Sequence, residues 1–150
     1  MNLETFPAEV TVHKGEINLI STKYFPNEDN RLFTIEVIHG PKYAKVCSSC
    51  QLGVKYIKTA FDFMNRAFMV WNTDVIDQTH ERVEVLVRGR GYRREFDLTK
   101  QRVCILPIEP TLENLANWFV SQFKGQLELS HAKIFNMGCE GESVSISFDH

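Results

Sequence analysis

No apolar run in this 150-residue chain approaches the ~20 residues that a membrane-spanning helix needs. The opening residues, Met1-Asn2-Leu3-Glu4, have neither the basic nor the greasy stretch of an export signal. A soluble, cytoplasmic protein with no membrane partner is therefore expected. Glycine (8) and proline (5) are few, and no linker, repeat or low-complexity tract occurs, which excludes collagen-like and disordered chains. G-x-G-x-x-G, a P-loop and a nucleophile elbow are also missing, so nucleotide hydrolysis and triad chemistry have little support. Of the 4 cysteines, Cys47 and Cys50 make one C-x-x-C, while Cys104 and Cys139 stand alone. There is no second C-x-x-C and no histidine pair at zinc-ribbon spacing. Three readings of the motif stay open: reduced structural thiols, the plainest; a redox pair before a helix that Ser48 or Ser49 could cap, beginning near Gln51; or half a metal site.

What is present fits one packed domain over residues 1–150. Hydrophobic residues make up 43% and charged ones 24%, and a chain of this size buries about 68–70% of its unfolded surface without a staple. The net charge of −2 hides a division. Lys and Arg against Asp and Glu count 3 to 6 in residues 1–40, 11 to 7 in 41–100, and 3 to 6 in 101–150. A basic middle lies between acidic ends, so bulk charge alone does not attract nucleic acid.

The hydrophobic period changes along the chain. Residues 8–20 alternate as a strand interrupted near Gly15, and 26–30 form a turn cluster. A second strand over 32–38 is expected to continue past Gly40-Pro41 to residue 46. Val54, Ile57, Phe61, Met64, Phe68 and Trp71 recur every three or four residues, predicting one helix that ends at 72–74. Val83, Val85 and Val87 open a hairpin over about 82–98, and an extended stretch, 103–107, follows. Thr111 is a good cap for a second helix, which Gly125 should stop. Strands near 129–137 and 142–148 flank a turn at 138–141. The whole reads as an α+β domain, an antiparallel sheet with two amphipathic helices on one face. Phe61, Phe68, Trp71, Trp118 and Phe119 are assigned to its core.

Three groups of residues carry possible chemistry. Arg88, Arg90, Tyr92, Arg93 and Arg94 crowd the hairpin tip, where guanidiniums can fork onto phosphates and the tyrosine can stack on a base. Alternation along a strand keeps all four arginines from reaching one ligand. Nucleic acid, an acidic protein surface and plain solvation are the alternatives there. Asp77 with His80 could act as an acid–base pair or be ordinary polar surface. His13, His39, His80 and His131 are scattered, without the helical spacing that presets a metal site.

Pro110-Thr111-Leu112-Glu113-Asn114-Leu115-Ala116 resembles the P-T-x-E-N-x-A that opens the second helix in the 6-pyruvoyl-tetrahydropterin synthase family, which includes 6-carboxytetrahydropterin synthase. The element order, without the hairpin, is similar to that family's tunnelling fold, ββααββ. Asn27-Glu28-Asp29-Asn30 resembles an acidic turn in its first hairpin, and His39-Gly40-Pro41-Lys42-Tyr43 its H-G-H-N-Y. The resemblance implies a homo-oligomer or assembly subunit whose sheet edges pair between copies. It also implies a planar purine- or pterin-like ligand, with Glu113 and Asn136 as candidate binding residues.

The catalytic set departs from the pattern. The family holds zinc with three histidines, and only His39 matches; Pro41 replaces the second, and Val10 stands where the first-strand histidine belongs. The family's nucleophilic cysteine precedes H-G-H, whereas Cys47 and Cys50 follow it. Asp77 and His80 resemble the proton-relay pair at altered spacing, and the pterin-anchoring glutamate of the penultimate strand is replaced near Asn136. The expectation is a degenerate site with no bound metal and no cofactor. The alternative is a small nucleic-acid-binding or interaction module built on the arginine hairpin.

Overall fold

The computed structural model describes residues 9–24, 31–89 and 91–148, with Tyr92 described by its backbone alone. The turn cluster at 26–30, the chain start and Arg90 lie outside the described residues. Strand β1 (Val10–Ile20) pairs antiparallel with β2 (Arg31–His39), with Val12 opposite Glu36 and Gly15 opposite Phe33. Gly15 does not interrupt β1. A Cβ there would come within 2.9 Å of the Phe61 ring and closer still to Asn65, so glycine serves close approach of a helix end.

Helix α1 (Ser48–Met64) buries Cys50, Gly53, Ile57, Ala60, Phe61 and Met64. It ends seven residues before the predicted Trp71. Arg66 takes a left-handed φ of 64° and its N–H bonds to Glu16 O at 2.6 Å, while Asn18 N–H bonds to Ala67 O at 3.0 Å. These bonds pull the chain onto β1, and Phe68 and Trp71 become the ends of strand β3 (Phe68–Trp71), parallel to β1. The second strand also ends early, at His39, because Gly40 N–H turns to His131 O at 2.6 Å and Tyr43 N–H closes a turn onto Gly40 O.

After β3, β4 (Val75–Gln78), β5 (Arg82–Gly89) and β6 (Tyr92–Thr99) form an antiparallel unit, and β7 (Val103–Leu106) returns parallel to β3. Helix α2 (Leu112–Gln122) starts as expected, with Thr111 Oγ1 accepting the Asn114 N–H at 3.2 Å. Gly125 does not stop it. The break falls at Phe123 (φ −114°, ψ 26°), and α3 (Lys124–Leu129) begins at once. Strands β8 (Ala132–Cys139) and β9 (Glu142–Ser147) close the chain through a two-residue turn, Glu140 (φ 43°) and Gly141 (φ 83°).

Among the described residues the strands make a six-stranded sheet, ordered β7-β3-β1-β2-β8-β9, and a three-stranded one, β4-β5-β6. The large sheet is mixed rather than purely antiparallel, because both pairs made by β3 are parallel. The larger core lies between this sheet and the helices and includes Ile17, Phe33, Ile35, Phe119 and Phe135. A second core joins Ile20 and Val70 to Val83, Val85 and Val87. Leu19 and Met69 belong to the first core and their neighbours Ile20 and Val70 to the second, so the small sheet covers the helix-free face at that end. Over β2, β8 and β9 that face is left open among the described residues. Among the described residues no helix is long and apolar enough to cross a membrane.

Candidate functional site

His39, the last residue of β2, is 3% exposed and has both ring nitrogens engaged. Nδ1 lies 2.6 Å from Ser130 O, an acceptor, so the proton sits on Nδ1 and the Nε2 lone pair accepts from Thr11 Oγ1 at 3.1 Å. Tyr43 stacks on the ring at 4.2 Å between centroids. His13 faces α1 against Phe61, with its Nε2 buried and without a hydrogen-bond partner. Among the described residues no three His, Cys, Asp or Glu side chains gather to hold a metal ion. The residues present therefore do not fit the zinc of the resembling family: one candidate ligand is spent on protein contacts and no set surrounds it.

The same burial gives a pH signature. Desolvation lowers the pKa of both His13 and His39 below the ordinary 6.5; Lys58 adds to the effect at His13, while the Ser130 carbonyl partly opposes it at His39. A histidine kept neutral in the fold is protonated first in the unfolded chain. Stability is thus complete above about pH 6.5 and falls as pH drops through the window below it, by at most about 1.4 kcal/mol per pH unit for each ring. Urea midpoints measured between pH 7.5 and 5 should decline, and a His13→Gln, His39→Gln double variant should flatten that slope.

On the open face of the sheet, the even-numbered residues 32–38 of β2 and 134–138 of β8 project away from the helices, whereas past the register shift at Ile38/His39 Ala132 is in the core. Glu36 and Asn136 are directly opposed, and Asn136 Nδ2 donates to Glu36 Oε1 at 2.8 Å. Val12 continues the row on one side and Ser145 on the other. Among the described residues neither Glu36 nor Asn136 has a second hydrogen-bond partner, which leaves a carboxylate oxygen, an amide N–H and an amide oxygen unused. With Thr34, Met137, Gly138 and Ser143 they line a hollow of about 330 Å³. Glu36 was not singled out from the sequence; its only signal there is an acidic side chain between Ile35 and Val37.

Glu113 lies elsewhere. It is in the exposed first turn of α2, on the helical side of the sheet, near Lys23, whose pKa is raised chiefly by the hydrogen bond to Glu142 and least by the charge of Glu113. Tyr24 Oη accepts the Leu112 N–H at 2.8 Å and lies 3.2 Å from Glu142 Oε2, tying the start of α2 to β9. The sheet separates Glu113 from Asn136, so the two candidates do not share one site.

Asp77 is exposed on β4 opposite Glu84, and His80, 90% exposed at its side chain, stands 3.7 Å from Glu81. At the hairpin, Arg88 opposes Arg93 and Val87 opposes Arg94. Directly opposed residues share a face, so Arg94 is on the apolar side, its guanidinium 5.3 Å from the Phe96 ring centroid. Arg93 pairs with Glu95 at 3.2 Å. Among the described residues of the hairpin, the outer face carries Arg82, Arg88 and Arg93 against Glu84, Glu95 and Asp97, three charges of each sign.

No family model matches the sequence, and no curated protein matches it. Solved structures do. The 6-pyruvoyltetrahydropterin synthase of Plasmodium vivax superposes with a TM-score of 0.57 at 11% identity, over 95% of this chain and 99% of that one. A catalytic-residue mutant of that enzyme gives 0.55 at 12% identity over the same shares. The synthase of Plasmodium falciparum gives 0.54 at 10%, over 93% of this chain and 96% of its own. The likeness spans nearly the whole length of both chains while identity stays at 10–12%, so what is shared is architecture: the chain adopts the tunnelling fold of the 6-pyruvoyltetrahydropterin synthases.

Proposed function

We propose that this chain is a tunnelling-fold assembly subunit that holds a planar purine- or pterin-like ligand on its open sheet face without zinc chemistry. The observation that carries the reading is the Glu36–Asn136 pair in its 330 Å³ hollow. A guanine or pterin ring presents an N–H and an amino group side by side, and a carboxylate accepts both in a charge-assisted pair. The resembling family places such a carboxylate on the penultimate strand. The resemblance puts that position near Asn136, and Glu36, directly opposite on β2, would supply the acid instead. Assembly is supported by what the open face exposes: Val10 and Val12, and Leu32 at 73%, stand in water on the single chain. Pairing of sheet edges between copies would enclose them and protect the outer strands β7 and β9.

The arginine hairpin gives weaker support to a nucleic-acid or acidic-protein partner, since among its described residues the outer face balances three cations with three carboxylates. Calorimetric titration with neopterin and guanosine, beside light scattering, tests the proposal. Binding to an oligomer is expected, weakened about 10- to 100-fold in Glu36→Gln, as for a lost hydrogen bond to a charged group. A monomer that binds neither compound at millimolar concentration would sink the reading.

A further inference from the structure

We propose that Cys47 and Cys50 form a dithiol–disulfide exchange site, separate from the open sheet face and independent of its ligand. The pair sits where the chain leaves β2 and enters α1. Cys47 is the N-cap residue of α1, with extended backbone (φ −80°, ψ 117°), and its Sγ accepts the Cys50 N–H at 3.4 Å. Ser49 Oγ stands 3.2 Å from the same sulfur. Cys47 is partly open to solvent, beside Val46, which is 96% exposed. Cys50 is fully buried one turn below.

That arrangement separates two roles. Hydrogen bonds from the Cys50 side chain, from Ser49 and from the Cys50 backbone bring the Cys47 thiol down to about 7, so about half of it is thiolate in neutral water. Burial pushes the Cys50 thiol up and keeps it protonated until the first sulfur has reacted. Cys104 and Cys139 are both raised by burial, Cys139 to about 11, which makes them unreactive internal controls.

In the exchange, the Cys47 thiolate attacks one sulfur of an external disulfide, forming a mixed disulfide and expelling one thiolate. Cys50 then loses its proton to solvent and attacks the Cys47 sulfur, closing the Cys47–Cys50 bond and releasing the second external thiolate. Two electrons pass from the cysteine pair to the external disulfide, whose two sulfurs are reduced. Cβ atoms three residues apart on a helix lie about 5–6 Å apart, and a disulfide needs ~3.5–4.5 Å, so a modest rotation at the non-helical cap residue closes the ring.

The test equilibrates the full chain in glutathione buffers of graded poise, quenches with acid and maps disulfides by mass spectrometry. A Cys47–Cys50 bond should appear as the buffer is oxidised. Iodoacetamide on the reduced protein should modify Cys47 at least ~10-fold faster than Cys139, with a rate midpoint near pH 7. Cys50→Ser should accumulate the mixed disulfide with glutathione at position 47, and Cys47→Ser should form neither species. Reduction of insulin by the dithiol form would extend the exchange to protein disulfides, and activity on glutathione disulfide alone would confine it to small ones. A folded wild-type chain that forms no Cys47–Cys50 bond in fully oxidised buffer, or a Cys47 midpoint above about 8.5, the value of an ordinary thiol, would overturn the proposal.

Discussion

Gly53→Val should leave little folded protein. Gly53 is the point where α1 meets α3. A Cβ built there would lie 2.6 Å from Gln126 O and 2.9 Å from Ser130 N, both backbone atoms of the last turn of α3. Side chains can swing away from an added carbon, but a helix terminus must move as a unit. Overpacking of this kind costs about 1–3 kcal/mol and more where backbone is displaced; the valine γ-carbons add to it. Gly53→Ala should lose less, because alanine recovers about 1 kcal/mol of helix propensity. The damage should also reach His39, since Ser130, whose carbonyl holds its Nδ1, is the residue displaced. Gly125→Ala is the control: nothing lies within 4 Å of its new carbon, so it should be neutral or gain up to about 1 kcal/mol. Urea or thermal unfolding followed by circular dichroism reads all three. A Gly53→Val melting curve within a few degrees of wild type would refute the close-contact account.

Legibility in the sequence followed the range of the interactions. Alternation over 10–20, 31–39 and 82–99 was enough to find strands, because each has one buried face and period two. The Thr111 cap was equally plain, being a local bond between neighbours. The predicted long helix failed at Asn65. Phe68 and Trp71 continue the spacing of Met64, yet the chain is drawn off by backbone bonds from residues 66 and 67 to β1, about fifty positions earlier, which no helical period encodes. The parallel pairs of β3 were invisible for the same reason: its partners, β1 and β7, are separated from it by α1 on one side and the three-stranded sheet on the other.

The candidate site was less legible than the fold. His39 stood out through its resemblance to a metal motif, but its two ring partners, Thr11 and Ser130, lie 28 and 91 residues away. Glu36 became visible only with the β2–β8 register, which sets it opposite Asn136 across 100 residues of sequence. A site assembled from one residue per strand has no local motif. The cysteine pair is the contrary case: its partners are within three residues, and the C-x-x-C could be read directly, although which thiol is open and which is buried could not.

Phe119→Ala should cost about 3–5 kcal/mol, enough to unfold a chain of ordinary marginal stability in mild denaturant. Phe119 is fully buried at the middle of α2 and is central to seating that helix on the sheet. Its ring stacks on Phe135 of β8 at 5.2 Å between centroids and tilts against Phe123 at 4.7 Å. Phe123 is also where α2 breaks into α3, so one side chain supports the sheet contact and the helix junction together. Neighbours cannot collapse into the space, because Leu115 and Ala116 are fixed on the same helix and Phe135 on a central strand. Phe119→Leu keeps most of the volume and should lose much less. Phe135→Ala should cost a similar amount, and the double variant should lose less than the sum, by about 0.5–1.5 kcal/mol, the worth of an aromatic pair beyond burial. Phe135 faces the helices while its neighbour Asn136 faces the hollow, so a core substitution here also loosens the strand that presents Asn136 to Glu36. In Phe119→Leu, folded but slightly destabilised, neopterin or guanosine affinity should stay within a factor of two or three of wild type. Strict additivity of Phe119→Ala and Phe135→Ala would show that the two rings do not act as a pair.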